Sequence, residues 1–385
     1  MRTEFLPFPP PWLGDEEINE VIDTLRSDWI TTGPKVKRFE REFADFIGAP
    51  AALAVSSATD AMQVGLAALG IGPGDEVITT PMTFCSTAHV IEHLGARPVL
   101  ADVDPVTLTI DPQQVEAAIT PRTRAILPVH LYGHPCDMDR LLDIAERYKL
   151  AIVEDAAHAL PTKFRERLVG TIGTFTAFSF YATKNLTTGE GGMLTGAAEL
   201  IDTARLWSLH GMSRDAYKRY SAEGSWYYEV VLPGFKCNMT DIQAALGLQQ
   251  LKKLPAFQQR RREIVARYQA AFKALPEVQT PTELPEMESA WHLYIMRLNL
   301  ERLTIDRARF IEELKARNIG TSVHFIPVHI HPYYADKYAY NPDDLPVAYR
   351  EYQRIVTLPL YPRMSDQDVA DVIEAVQDVV VRYRC

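Results

Sequence analysis

The residues best suited to covalent chemistry in this 385-residue chain lie in the segment FSFYATKNLTTGEGG, residues 178–192. Lys184 stands there between a predicted strand and a glycine-rich return. Upstream, an apolar strand ends in Glu154 and Asp155, and His158 follows three residues after Asp155. Each side chain alone fits an ordinary role, because most lysines are solvated, acids cap strand ends and histidines are often buried in cores. Taken together, they also fit a single chemical task.

An amine, a carboxylate and an imidazole suit an aldehyde cofactor with a pyridine ring and a phosphate, such as pyridoxal 5′-phosphate. Lysine binds such an aldehyde as a Schiff base, and the carboxylate keeps the ring nitrogen protonated so that the ring can accept electrons. The phosphate needs amide donors at a helix start together with hydroxyl groups. Thr59 and Asp60 occupy the first turn of a predicted helix, and Ser179 lies five residues before the lysine. Phe84 could offer an aromatic face to the ring.

These residues depend on an alternation of short β-branched runs and helical patterns between residues 51 and 155. Four such β–α alternations in a row predict a mostly parallel sheet with helices on both faces. Ligands of such sheets bind at the carboxyl ends of the strands. The polar clusters that follow the predicted strands are SSATD, TPMTF, HLYGH and EDAAH.

After residue 174 the pattern changes. TFTAFSFY and GGMLTG predict paired strands, Thr240 predicts the cap of a helix ending near residue 254, and a second, charged helix is predicted over 256–275. We therefore expect an α/β protein with a large cofactor-binding domain and N-terminal arm over residues 1–250. Residues 251–385 are expected to form a smaller C-terminal α/β domain.

Composition excludes several classes of function. The chain has 40 Lys and Arg against 50 Asp and Glu, a net charge of −10, which argues against a nucleic-acid-binding surface. Its four cysteines form no CxxC pair, so neither a metal site nor a disulfide framework is indicated. No run of 18 apolar residues occurs, so no membrane span is predicted. We expect a cytoplasmic protein.

Two other binding motifs are not supported by their context. The runs GIGPG (70–74) and GEGG (189–192) do not lie between a strand and a helix, as a dinucleotide fingerprint requires. His324, His329 and His331 have zinc-like spacing but lack acidic or cysteine neighbours. The sequence therefore predicts neither a nicotinamide cofactor nor a metal.

Seven ordered motifs resemble those of the DegT/StrS-type nucleotide-sugar aminotransferases, a branch of the fold-type I pyridoxal-phosphate enzymes. The resemblance runs from about residue 5 to residue 380, and within the family it is strongest to the enzymes that make UDP-4-amino-4-deoxy-L-arabinose. The motifs are WITTGP (29–34), SSATDAM (56–62), GDEVITTPMTF (74–84), PVHLYGHPCDMD (128–139), VEDAAHA (153–159), FSFYATKNLTTGEGGM (178–193) and GFKCNMTDIQAA (234–245).

This resemblance implies a role for each matching residue. Lys184 would be the Schiff-base lysine and the base that moves protons, Asp155 would pair with the pyridinium nitrogen, and His158 would lie near the ring. The residues that would hold the phosphate are Thr59, Asp60 and Ser179. The resemblance also implies a homodimer, in which Asn238 reaches the phosphate of the other subunit's cofactor.

The resemblance further implies transfer of an amino group, usually from L-glutamate through pyridoxamine phosphate, to a nucleotide-linked keto sugar. We expect C4 of a UDP-4-keto sugar to be the acceptor. Alternatives are reaction at C3, a dTDP- or GDP-sugar, or a catalytically silent cofactor-binding regulator, although Lys184 disfavours the regulator. Phe84 stands where we expect Trp in the nearest relatives, which weakens the substrate assignment. Substrate contacts are predicted, with loop packing an equally good explanation for several, at Thr31, Thr32, Lys236, His324 and His329.

Overall fold

The computed structural model of the chain describes residues 2–212 and 227–385. Within these residues, strands and helices alternate from residue 51 to residue 155, as the sequence predicts. The helices are α1 (Asp15–Arg26), α2 (Pro34–Ile47), α3 (Ala58–Ala68), α4 (Ser86–His93), α5 (Pro112–Ala117), α6 (Met138–Tyr148), α7 (Ala198–Ser208), α8 (Asp241–Phe272), α9 (Arg307–Ala316), α10 (Pro332–Tyr338), α11 (Pro346–Arg354) and α12 (Asp366–Tyr383). The strands are β1 (Ala51–Val55), β2 (Glu76–Thr79), β3 (Arg97–Leu100), β4 (Thr123–Leu127), β5 (Ala151–Asp155), β6 (Lys163–Phe164), β7 (Arg167–Leu168), β8 (Phe175–Ser179), β9 (Gly192–Gly196), β10 (Val278–Gln279), β11 (Met287–Glu288), β12 (Tyr294–Leu298) and β13 (Ile355–Leu358).

Seven strands form the main sheet in the order β1-β9-β8-β5-β4-β2-β3. Five of them pair in parallel from β8 to β3, whereas β9 runs antiparallel to both β8 and β1. The predicted mostly parallel α/β sheet and the predicted pairing of β8 with β9 are thereby confirmed. Because β1, β5 and β8 point the same way, the chain leaves all three strands at one edge of the sheet.

Both faces of this sheet are covered, and the side chains of each strand alternate between them. In β5, Ile152 packs into the core on one face and Val153 into the core on the other; Met193 and Leu194 divide in the same way in β9. This period of two follows from the pleat of a strand. Helices α2, α6 and the first half of α8 cover one face, and α3, α4 and α7 cover the other. A strand buried on both faces needs a continuous apolar run, which is what the sequence shows.

Helix α8 corrects the prediction of two helices separated near Pro255. Thr240 begins it with a capping box, as predicted, but the helix continues through the proline to Phe272. Proline lacks the N–H of one helical hydrogen bond. Buried side chains line α8 on both sides of the proline: Leu254 belongs to the core of the main sheet, and Ile264 to a second core in the C-terminal part. Packing on two cores therefore holds one helix where local sequence favours a break.

The second core is built around a three-stranded antiparallel sheet in the order β10-β12-β13. It also takes in α12 and, from the opposite end of the chain, Leu6. Helix α8 passes through residue 250, and the division of the chain into residues 1–250 and 251–385 stays a prediction. Among the described helices, none has the length and apolarity that crossing a bilayer would require.

Helix α2 begins at a glycine and a proline and has no capping side chain of its own. Its cap comes from Asp241, the first residue of α8. One carboxylate oxygen of Asp241 accepts from the backbone N–H groups of Gly33 and Val36, both at 2.9 Å, and the other accepts from that of Lys35 at 3.1 Å. A buried carboxylate facing a helix N-terminus satisfies orphan N–H groups and opposes the helix dipole.

Replacing this cap should destabilise the protein. We expect Asp241→Ala to lower the free energy of unfolding by about 2–3 kcal/mol, because three backbone N–H groups, two of them buried, lose a charged acceptor. Urea denaturation of the holoenzyme measures the change. Asp45→Ala is the matched control, since Asp45 lies exposed on the same helix α2 and should alter the unfolding free energy by less than about 0.5 kcal/mol. Equal effects of the two substitutions would contradict the capping role.

Candidate active site

A cavity of about 500 Å³ opens at the edge of the main sheet where β5 and β8 end. This is the position that parallel sheets offer to ligands. Seven of the residues singled out from the sequence line it together: Thr59, Phe84, Asp155, His158, Ser179, Lys184 and His324. They come from segments separated by up to 265 positions, so the fold rather than the chain order brings them into one site.

Asp155 is the last residue of β5 and is only 4% exposed. One of its carboxylate oxygens accepts from the backbone N–H of Ala157 at 3.0 Å, and the other from the hydroxyl of Thr87 at 2.8 Å. Thr87 in turn lies 2.8 Å from the hydroxyl of Thr83. Burial raises the pKa of Asp155, while these two hydrogen bonds and the charge of Lys184 oppose that rise. A cation placed beside this carboxylate would offset the cost of burying it.

Lys184 follows β8 in a turn closed by its own backbone N–H, which donates to the carbonyl of Tyr181 at 2.9 Å. Its ammonium has no hydrogen bond or ion pair with the residues that the structure describes. Desolvation lowers the pKa of Lys184 to about 8, and the charge of Asp155 opposes that shift only in part. A lysine with so low a pKa is partly neutral near physiological pH, as a nucleophilic or basic amine must be.

Two neighbouring imidazoles line the cavity with the lysine. The ring centroids of His158 and His292 are 4.5 Å apart with the rings tilted by 37°, and the ring of Phe325 stacks on that of His158 at 5.7 Å. Desolvation, followed by the nearby charge of Lys184, lowers the pKa of His158 well below its usual value. The Nδ1 atom of His158 accepts from the backbone N–H of Tyr132 at 3.3 Å. The proton of the neutral ring therefore lies on Nε2, which makes that atom a donor.

The tautomer of His292 is the opposite one. The side-chain amide nitrogen of Asn185 donates to the carbonyls of Leu160 and Ala290, both at 2.9 Å. The side-chain oxygen of Asn185 must then be an acceptor, and this oxygen lies 3.1 Å from Nδ1 of His292. His292 is thus protonated on Nδ1 and keeps a lone pair on Nε2. The two histidines offer one donor and one acceptor.

The start of α3 supplies the polar end of the cavity. Ser57 caps the helix by accepting from the N–H of Asp60 at 3.0 Å, and both Ser57 and Thr59 line the cavity. Ser179 lines it from the end of β8. Gly192 lets β9 lie close to the backbone at the start of α3, because a Cβ at residue 192 would be only 2.4 Å from the carbonyl carbon of Ser57. A helix N-terminus with hydroxyl groups is a typical binding site for a phosphate.

Asp60 turns away from this cavity. Its carboxylate accepts from the hydroxyl of Ser57 at 2.8 Å and also from that of Ser56, and Asp60 is not among the lining residues described. This arrangement orients the serines at the start of α3. The predicted contact of Asp60 with a phosphate stays a prediction, and an indirect role through the serines fits the geometry better.

The remaining predicted residues lie outside the described cavity lining. The side-chain amide of Asn238 donates to the hydroxyl of Thr32 at 2.5 Å, and its oxygen accepts from Lys236. Thr31 is exposed beside them. His329 is fully buried, with Nε2 3.4 Å from the carbonyl of Pro342, and its predicted substrate contact stays a prediction. In the described part of the chain, no group of three or more His, Cys, Asp or Glu side chains is placed to bind a metal ion.

Several residues of the site were not predicted from the sequence. No sequence signal marked Thr87, because Thr83 precedes helix α4 and the four-residue spacing of the two threonines therefore does not place them on one helix face. Phe8, His292 and Phe325 also line the cavity, yet they come from the first residues and from the C-terminal part. They belong to none of the seven motifs, and no periodic pattern connects them with Lys184.

The sequence pattern of the DegT/DnrJ/EryC1/StrS aminotransferase family matches residues 11–377. The chain belongs to this family. It is 56% identical to the spore coat polysaccharide biosynthesis protein SpsC of Bacillus subtilis (strain 168), with 98% of each chain covered. The chain is therefore a sugar aminotransferase, and the family predicted from its motifs is confirmed.

Solved structures of family members share the fold over almost the whole length. The pyridoxamine-phosphate form of Spr1654 from Streptococcus pneumoniae, described as a sugar aminotransferase, superposes with a TM-score of 0.93 at 39% identity and covers 98% of this chain and 99% of its own. PseC of Helicobacter pylori, an aminotransferase of pseudaminic acid biosynthesis, gives 0.91 at 28% identity, with 99% and 100% covered. Spr1654 is also known in a pyridoxal-phosphate form. The predicted fold type I and the predicted cofactor, pyridoxal 5′-phosphate, are thereby confirmed.

The residues of the cavity fit this cofactor. A buried carboxylate that makes no direct ion pair within the described part of the chain, an amine of low pKa and a hydroxyl-lined helix start all open into the same space. These groups match the ring nitrogen, the aldehyde and the phosphate. Which of these residues binds which part of the cofactor belongs to the proposal below.

The low pKa of Lys184 predicts how the cofactor-free enzyme captures pyridoxal phosphate. Only the neutral amine attacks an aldehyde, so a lowered pKa shifts the neutral fraction to lower pH. We expect the capture rate to rise with pH and to reach half its maximum near pH 8, whereas an ordinary lysine would do so near pH 10.4. Stopped-flow absorbance in the visible range, checked by borohydride trapping, measures the rate. A midpoint above about pH 10 would contradict the environment described for Lys184.

Proposed function

We propose that this enzyme transfers the amino group of L-glutamate to a nucleotide-linked keto sugar, at C4 of a UDP-4-keto sugar. The observation that carries the proposal is the meeting of Lys184 and Asp155 in one cavity of about 500 Å³. The resemblance of seven motifs to nucleotide-sugar enzymes supports the substrate class. The name of the Bacillus subtilis relative supports a role for the product in a surface polysaccharide.

The residues around the cofactor would divide the work. Bound pyridoxal phosphate supplies an electron-accepting ring that stabilises negative charge on a neighbouring carbon. Asp155, whose charged form is favoured by the hydrogen bonds from Thr87 and Ala157, would hold the proton on the ring nitrogen. The amine of Lys184 would bind the aldehyde covalently and, once released, would carry a proton between carbon atoms of cofactor and substrate. Its lowered pKa serves that task, because general bases work best with a pKa near the working pH.

The other predicted residues would position the cofactor. Ser179 and Thr59, with the first N–H groups of α3, would bind the phosphate, and Phe84 would lie against the ring. His158 would present its Nε2–H to the ring or to a substrate oxygen. Because desolvation keeps His158 neutral, this donor would add no further positive charge beside Lys184.

We also propose a homodimer whose sites are completed across the interface. Thr32, Asn238 and Lys236 form a polar cluster that does not line the cavity of their own subunit among the described residues. Asn238 of the partner subunit would then reach the phosphate. Helix α1 supports an interface, because its exposed apolar residues share one face and continue into the following loop: Ile18, Ile22, Leu25, Trp29 and Ile30. An exposed apolar patch of this kind is typical of an association surface.

A second candidate substrate follows from one observation at the cavity mouth. Phe84 is 59% exposed there and stands where the UDP-4-amino-4-deoxy-L-arabinose enzymes are expected to have Trp. A smaller ring without an N–H changes both the space and the hydrogen bonding offered to a sugar. A keto sugar that reacts at C3, or one carried on dTDP or GDP, is therefore the alternative acceptor.

A two-step titration tests the reaction. We expect L-glutamate to bleach the visible absorbance of the holoenzyme, and the correct member of a panel of UDP-, dTDP- and GDP-linked keto sugars to restore it. The Lys184→Ala variant should show neither change and should carry no borohydride-reducible link to the cofactor. A wild-type enzyme that binds the cofactor yet does not respond to any amino donor would instead support a silent regulatory protein.

Mixing two inactive variants tests the shared site. Lys184→Ala and Asn238→Ala would each be inactive or weak as pure dimers. If Asn238 acts on the partner's cofactor, a mixed dimer contains one site with both residues intact, so partial activity should return after the subunits exchange. Mixing Lys184→Ala with Asp155→Ala is the control for two residues of one subunit's site. This mixture should stay inactive if neither residue crosses the interface, because each site of the mixed dimer then lacks either the amine or the carboxylate. A protein that carries both Lys184→Ala and Asn238→Ala on the same chain is a second control. It should stay inactive, because every site of its dimers lacks the lysine. No recovery in the first mixture would contradict the cross-subunit role of Asn238.

A further inference from the structure

The cavity has two chemically different walls. The wall built by the main sheet and α3 carries the hydroxyl groups, Asp155 and Lys184. The other wall is a branched set of rings centred on Phe325, with neighbouring ring centroids within 6.1 Å of each other. Phe325 neighbours Phe84, His158 and His324, while His292 adjoins His158 and Phe8 adjoins His324. The polar wall contains the groups that match the cofactor. The part of the aromatic wall formed by Phe8 and His324 is not required by that match.

Phe8 reaches the cavity on an N-terminal arm that is bound firmly to the C-terminal part of the chain. The backbone N–H of Leu6 donates to the carbonyl of Asn318 at 2.8 Å, and the carbonyl of Leu6 accepts from Gly320 at 2.9 Å. Leu6 is 2% exposed and belongs to the second core. Arg2 adds ion pairs to Asp368 and Asp371 on α12. The arm is therefore held by backbone pairing, apolar packing and charge.

This anchoring fixes a ring pair at the cavity. The ring of Phe8 stacks on that of His324 at 5.5 Å with an interplanar angle of 22°. The Nδ1 atom of His324 lies 2.9 Å from the hydroxyl of Thr357 in β13, and the carbonyl of His324 accepts from the Tyr132 hydroxyl. Desolvation lowers the pKa of His324 to about 4. The pair thus presents a neutral, oriented aromatic surface.

We propose that Phe8, stacked on His324, forms the surface against which the ring of the acceptor sugar packs, so that the N-terminal arm is part of the substrate site. This inference rests on the proposed function. The face of an aromatic ring carries negative charge density and attracts the polarised C–H groups that line one face of a pyranose. Ligand sites typically combine such apolar surfaces with a few polar contacts. The amino donor is smaller and need not reach this surface.

Separating the two half-reactions of the holoenzyme tests the proposal. For Phe8→Ala we expect the rate of bleaching by L-glutamate and the affinity for pyridoxal phosphate to stay as in the wild type. The KM for the keto sugar that restores the absorbance should rise about tenfold, since loss of an aromatic contact costs about 1.4 kcal/mol. Phe8→Tyr should restore the wild-type KM, because it keeps the stacking face.

Phe5→Ala is the matched control. Phe5 lies on the same arm but is 53% exposed and is not one of the described lining residues, so its removal should leave the KM unchanged. The thermal midpoint of each variant shows whether the arm stays bound. Calorimetric binding of UDP-glucose, a sugar nucleotide that cannot be aminated, provides the same comparison without turnover. Its dissociation constant should also rise about tenfold in Phe8→Ala.

Three results would overturn the inference. The first is an unchanged KM and an unchanged UDP-glucose affinity in a folded Phe8→Ala protein. The second is an equal loss in both half-reactions, which would show that Phe8 supports the cofactor or the whole fold. The third is a wild-type enzyme that reacts with L-glutamate but takes no keto sugar and binds no UDP-glucose. That last result would reject the proposed acceptor class as well, whereas the first two would leave the proposed function intact.

Discussion

The active site depends on keeping a carboxylate and an amine close together where little water reaches them. Asp155 is nearly fully buried, and burial alone would favour its neutral form. Hydrogen bonds from Thr87 and from the backbone of Ala157 stabilise the charged form, and Lys184 contributes a favourable charge. The same desolvation makes the lysine more readily neutral. The same buried environment therefore suits Asp155 to hold a fixed negative charge and Lys184 to gain and lose a proton.

The main sheet makes that environment possible. Asp155 and Ser179 end neighbouring parallel strands, so their side chains emerge at one edge without any need for a long loop. Helices on both faces exclude water from the strands, while the edge itself stays open to ligands. The turn after β8 then places Lys184 beside the end of β5. A rigid scaffold of this kind keeps the amine and the carboxylate in a constant relation during turnover.

Part of the aromatic wall comes from segments that lie far from Lys184 and Asp155 in the sequence. Phe8 arrives on the N-terminal arm, and His324 and Phe325 arrive from the segment before α10. Helix α8 links the two cores as one continuous element. Phe8 and Phe325 pack against a third apolar cluster that contains Met82 and Ala88 from the main-sheet part together with Leu293 and Ile295 from the C-terminal part. The aromatic surface is therefore held where the two parts of the chain meet.

Local sequence determined the elements and the cofactor chemistry of this protein. The alternating apolar runs, the cap at Thr240 and the polar residues at strand ends are short-range signals, and the polar residues at strand ends led to Asp155 and Lys184. Tertiary structure alone decided the contacts between residues that are distant in the sequence. Packing on two cores carried α8 through Pro255, Asp241 became the cap of a helix more than 200 positions earlier, and His292 and Phe8 joined the cavity. Those contacts depend on how whole helices and strands pack against each other. A periodic pattern or a local motif does not encode which distant side chain will contact a given residue.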